Sequence, residues 1–176
     1  MAGCAELINS GRSGSDDLLP DLSAVQAFAD RYAFFGAPAE PADLTRLRSH
    51  RADLDEIARA CEAGEIDRAI EGLNALLART GASPQIAAHH GRGPHFHVSR
   101  PDSPLANRMA AHFAMGLAWL VVAGQASRIH TCESPSCDEV FVDMSRNRSR
   151  RYCDSKTCGN RLHVAAYRAR KQATTT

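Results

Sequence analysis

Two pairs of cysteines, Cys132/Cys137 and Cys153/Cys158, each spaced Cys-x4-Cys with fifteen residues between the pairs, constrain this chain more than any other feature. Zn²⁺ favours a closed tetrahedron of thiolates, and a short loop supplies two of them from one side. Two such knuckles facing each other complete the shell. The arc 138–152 is too short and too polar to hold a shape alone, so metal binding would stand in for a core, with ligation and folding as one free-energy change. Two disulfides, or a redox or catalytic role for the thiols, are the alternatives. The first residues lack the basic-then-apolar order of a secretory leader, and Cys4 and Cys61 have no partner spacing, which favours reduced thiols. One structural zinc is therefore expected at Cys132, Cys137, Cys153 and Cys158, with no open position for catalysis.

Charge is unevenly spread. From Arg128 onward ten Lys/Arg stand against five Asp/Glu, a net +5, while the first 127 residues carry −4. Within 144–171 nine basic residues face only Asp154. This is a mildly acidic body followed by a basic module. Arg146, Arg148, Arg150 and Arg151 crowd one loop, and Arg161, Arg168 and Lys171 fall along one edge of a terminal helix with Arg170 beside them. Such a cluster suits a phosphate backbone and a salt-dependent affinity. A four-thiolate zinc carries −2, so two or three of these arginines could instead neutralise it.

The body reads as helices. Asp21 is a good N-cap for a helix to Phe35, with Val25, Phe28, Ala29 and Tyr32 on one face and Gly36 and Pro38 as its stop. Pro41 opens the next helix, striped by Leu44, Leu47, Leu54, Ile57, Ala58 and Cys61 and broken at Gly64. A third follows with Ile66, Ile70, Leu73 and Leu77 in register, ending at Gly81. Residues 85–90 and 95–100 flank Gly91-Arg92-Gly93-Pro94 and read as a β-hairpin. Ser103-Pro104 caps a long helix to about Gly124 that is apolar nearly all round and belongs in the middle of the body. Residues 7–10 read as a short apolar start.

Other clusters carry less. His89, His90, His95 and His97 raise a second metal site, with His95 and His97 on one strand face; a solvent-facing row of histidines explains them as well. Arg108 and His112, at helical spacing, would line a small-molecule pocket or serve core hydrogen bonding. No phosphate loop, nucleophile elbow or carboxylate pair points to an enzyme. The longest apolar run, 109–126, falls short of the roughly 20 residues that span a bilayer, so a soluble, cytoplasmic protein with no membrane partner is expected.

The C-terminal motifs go further. Cys158-Gly159-Asn160-Arg161, preceded by Cys132-x4-Cys137, Phe141-Val142-Asp143-Met144-Ser145-Arg146-Asn147 and Arg151-Tyr152-Cys153, resembles the CGNR zinc-finger family, and Tyr167-Arg168-Ala169-Arg170 continues the likeness. His163 stands where a basic residue is expected. The body resembles the ABATE-type domain found ahead of this finger, on Glu6-Leu7-Ile8-Asn9-Ser10 and Asp17-Leu18-Leu19, with Glu6 and Ser10 as conservative departures. The resemblance implies a bacterial, stress-induced transcription regulator whose finger binds DNA. It implies zinc ligands at the same four cysteines.

The expectation is a mainly α protein: a helical body, residues 1–127, with one β-hairpin, and a small zinc-ribbon-like finger, residues 128–176, ending in a helix. Its expected partner is DNA, with a homodimer extending the contact and the body open to a small-molecule effector. The rival reading is a zinc-stabilised module for an acidic protein partner.

Overall fold

A computed structural model describes residues 1–12, 17–34, 36, 38–88, 93–153, 158–160, 164 and 171. Five helices form the body: α1 (Ala2–Asn9), α2 (Leu22–Arg31), α3 (Pro41–Glu62), α4 (Ile66–Thr80) and α5 (Leu105–Val122). A hairpin, β1 (Gln85–Ala87) and β2 (His95–His97), lies between α4 and α5. A 3-10 turn, Ala126–Arg128, leads into a second antiparallel hairpin, β3 (Ile129–Thr131) and β4 (Val140–Val142). The architecture is mainly α, as the residue pattern implied.

The core forms where α5 packs across α3 and α4. Leu105, Ala106, Met109, Ala110, Phe113, Ala114 and Leu117 bury one face of α5, and its alanines let the neighbouring helices approach closely. Leu47, Leu54, Ile57, Ala58 and Cys61 answer from α3 and Ala69, Leu73 and Leu76 from α4. Phe113 meets Phe28 and Phe34 edge to face, with centroids 6.3 Å and 5.7 Å away, a favoured aromatic geometry. Cys4 and Cys61 sit in this core. Burial pushes the Cys4 thiol up to about 12 and raises that of Cys61, which makes both poor nucleophiles.

Several sequence expectations shift. Residues 2–9 are helical, and Cys4, Leu7 and Ile8 turn one face of α1 into the core. α2 is capped by the Asp21 side chain, which accepts from the Ala24 N–H, but it stops at Arg31 because Ala33 takes a left-handed turn at φ 59°. On α4 the buried residues are Ala69, Leu73, Leu76 and Thr80, while Ile66 and Ile70 are exposed. The inner face is thus rotated from the expected stripe, with Gly72 lying so close to α3 that an added Cβ would meet Ile57 at 2.9 Å. α5 is not buried all round: Trp119 is 58% and Val122 81% exposed, so its last turn leaves the core. By length and composition α5 is the helix among the described residues that could cross a membrane, yet its apolar face is taken up by α3 and α4.

Pro104 occupies the N-cap position of α5 instead of its first turn, and the missing cap comes from far away in sequence. Buried Asp43 accepts from the Glu40 N–H at 2.9 Å and from the Ala106 N–H at 3.1 Å. One carboxylate thus closes the first turns of both α3 and α5. Asp43→Ala is expected to cost roughly 1–3 kcal/mol, read as a fall in Tm of about 2–4 °C per kcal/mol. An unchanged Tm would contradict this role.

Candidate metal centre and nucleic-acid interface

The β3–β4 hairpin positions the site through its pleat. Ile129 pairs with Val142 and Thr131 with Val140, while His130 pairs with Phe141. Successive side chains alternate faces, so Ile129 and Val140 join the body's core and Phe141 packs against the cysteines on the other side. The first knuckle is closed by Cys132 N–H to Glu139 O at 2.8 Å and Cys137 N–H to Ser134 O at 2.9 Å. The second arm is drawn alongside by Glu133 N–H to Arg151 O at 3.0 Å.

All four sulfurs of Cys132, Cys137, Cys153 and Cys158 lie within 4.8 Å of one another. Cys137 Sγ is 3.7 Å from Cys153 Sγ, which is 3.8 Å from Cys158 Sγ. A zinc–sulfur bond of about 2.3 Å in a tetrahedron sets sulfur–sulfur edges near 3.8 Å, whereas a disulfide needs about 2.05 Å. The chemistry of the donor set agrees. Burial pushes the Cys137 thiol up to about 11, and a divalent cation reverses that balance by binding the thiolate form. The Cys153 N–H points at Cys132 Sγ at 3.5 Å, an outer hydrogen bond of the kind that orients metal ligands. These four residues form a single zinc site of the closed, structural type. Cys132, Cys153 and Cys158 are buried and Cys137 is half-buried.

Residues 158–160, 164 and 171 are helical, so Cys158 offers its sulfur from a helix. Thr157, a residue type suited to the N-cap of that helix, lies outside the described residues. A Cβ added at Gly159 would meet the Tyr152 ring at 3.5 Å, an ordinary contact.

The arginine loop is organised by a residue that charge counting passes over. Asp143 is fully buried and accepts from the Ser145 N–H at 2.8 Å and the Arg150 N–H at 2.9 Å. Hydrogen bonds from Ser145 and Arg150 hold its carboxyl down to about 2. Its contribution is therefore complete above the ordinary carboxylate range, declines below it, and is gone once pH has fallen through about 2. The Asp-x-Ser turn signature is the sequence signal that could have found it. Arg128 braces the same loop, donating to Asp143 O at 2.7 Å and Ser145 O at 3.1 Å.

The four loop arginines are not equivalent. Arg150 lies over the Phe141 ring at 4.8 Å and donates to Tyr152 O at 2.8 Å, so it serves the knuckle. Arg151 is exposed and pairs with Glu133. Arg148, in a left-handed turn at φ 50°, shares the Gln125 Oε1 with Arg128. Arg146 is exposed, without a hydrogen bond or ion pair among the described residues. Lys171 is helical and exposed. Arg161, Arg168 and Arg170, like His89 and His90, lie outside the described residues. His95 and His97 share one face and their rings converge. Arg108 lies against Gly36, and exposed His112 stacks edge-on against Phe34.

The finger is clamped to the body. Asn9, at the end of α1, donates to Val140 O at 2.9 Å and accepts from the Val140 N–H at 2.7 Å, as a neighbouring strand would. Glu62, at the end of α3, accepts from the Thr131 N–H at 2.6 Å and its hydroxyl at 2.7 Å. Both outer edges of the hairpin are thereby paired to body side chains. Replacing Asn9 and Glu62 together with Ala is expected to speed hydrogen exchange at the Val140 and Thr131 amides at least tenfold, with zinc retained. Unchanged protection there would contradict the clamp.

Fold and site together define a zinc-finger protein whose finger is docked on a helical body. Residues 128–171 match the CGNR zinc finger. Residues 2–127 match ABATE, described as "Putative stress-induced transcription regulator", and the chain belongs to that family. No curated protein matches the chain at a significant level.

Proposed function

We propose that this protein is a DNA-binding transcription regulator of the cytoplasm. In it zinc holds the finger, and the loop 144–151 with the terminal helix meets the phosphate backbone. The observation that carries the reading is the Asp143-braced loop, on which Arg146, Arg148 and Arg151 are exposed. A loop whose backbone is fixed in advance loses less entropy on binding, and its guanidinium groups release counterions from the duplex. The body would supply dimerisation or effector sensing. No catalytic step is part of the proposal, since sulfur fills the metal's four positions.

Binding of the zinc-loaded chain to random duplex DNA tests this. The logarithm of affinity should fall linearly with that of salt concentration, with a slope of about −0.9 per phosphate contacted. Absence of binding at low salt, with zinc retained, would overturn it. That result would favour an acidic protein partner, a reading supported by the carboxylate Arg151 already holds in its pair with Glu133.

A further inference from the structure

The β1–β2 hairpin of the body carries two metal-ligating side chains that the finger does not use. His95 Nε2 and His97 Nε2 converge to 3.1 Å from one face of β2. His95 Nδ1 lies 2.9 Å from the Gly93 carbonyl oxygen. That oxygen only accepts, so in the neutral ring the proton sits on Nδ1 and Nε2, the atom facing His97, is the ligating nitrogen. A carbonyl on the far ring nitrogen is the arrangement that fixes the tautomer of a metal-bound histidine. Two nitrogens 3.1 Å apart fit one ion at a bond length of about 2.0–2.1 Å with a bite angle of about 95–102°. Both rings are half-buried, which steadies them and leaves a path from solvent.

We propose that His95 and His97 form a second metal site, a two-imidazole chelate for a late divalent transition ion such as Ni²⁺, Cu²⁺ or Zn²⁺. Imidazole suits these ions, and hard cations such as Mg²⁺ and Ca²⁺ prefer oxygen. Water completes the coordination. The site is on a hairpin of the body, apart from the thiolate centre, and stands independently of the DNA-binding reading.

The zinc-loaded full chain, dialysed against sub-millimolar Ni²⁺ or Zn²⁺, should take up one further equivalent. His95→Ala combined with His97→Ala should weaken that equivalent at least tenfold and leave the first in place. In the unmodified protein Ni²⁺ should broaden the ring NMR signals of His95 and His97 before those of other histidines, a readout that does not depend on a variant folding. No further equivalent in the unmodified protein, full retention in the double variant, or broadening centred on other histidines would each overturn the proposal. A simple hydrogen bond between the two rings predicts the first of these.

Discussion

Cys153→Ser is expected to abolish zinc binding and to loosen the finger, with a measurable cost to the body as well. Cys153 holds the centre of the cluster. Its sulfur is 3.7 Å and 3.8 Å from those of Cys137 and Cys158, and its N–H addresses Cys132. A serine hydroxyl is a poor zinc ligand, and structural zinc supplies on the order of 10–16 kcal/mol at neutral pH. Metal content should fall from one equivalent to near zero. Were the finger an independent bead, the helices would keep their full stability. Ile129 and Val140, however, belong to the body's core, and their release removes up to about 3–6 kcal/mol of burial. Far-ultraviolet circular dichroism should therefore keep the helical signal while Tm drops. Unchanged zinc content would remove the ligand assignment, and an unchanged Tm would show that the hairpin is not energetically docked. Chelation of the unmodified protein should give the same pair of effects.

The second large effect is on nucleic acid. Replacing Arg146, Arg148 and Arg151 together by Ala should lower duplex affinity by one to two orders of magnitude at low salt and reduce the salt slope by about 2.7, three contacts' worth. Zinc content should not change. Arg150 is deliberately left out. Its guanidinium covers Phe141 and bonds Tyr152 O, so Arg150→Ala should loosen the knuckle and confuse a loss of contact with a loss of fold. Equal affinity in the triple variant, measured by fluorescence anisotropy on labelled duplex, would move the binding surface elsewhere.

The metal centre was legible because its information is local. Two fixed spacings and a polar arc leave little choice, and the structure brings those four sulfurs together. Most helices were legible through punctuation: Asp21, Pro41, Gly64 and Gly81 sit at element ends where expected. What escaped depends on contacts distant in sequence. Asp43 serves a helix that begins more than sixty residues later, and Asn9 meets Val140 across 131 positions. Counting Ile and Leu misplaced the inner face of α4, because Ala69 and Thr80 are buried there while Ile66 and Ile70 are exposed. Arginine counting located the basic loop but not the division of labour within it, which follows from one ring, Phe141, and one buried carboxylate, Asp143.

The side-chain amide of Asn9 and the carboxylate of Glu62 bear on how the protein can be dissected. A two-stranded ribbon with vacant flanks is a template for further strands. Here the helices themselves blunt both flanks. A fragment starting at Arg128 would bare those flanks together with Ile129 and Val140, so it should self-associate even when fully loaded with zinc. Joined to its helices, the same ribbon has nowhere left to recruit a copy.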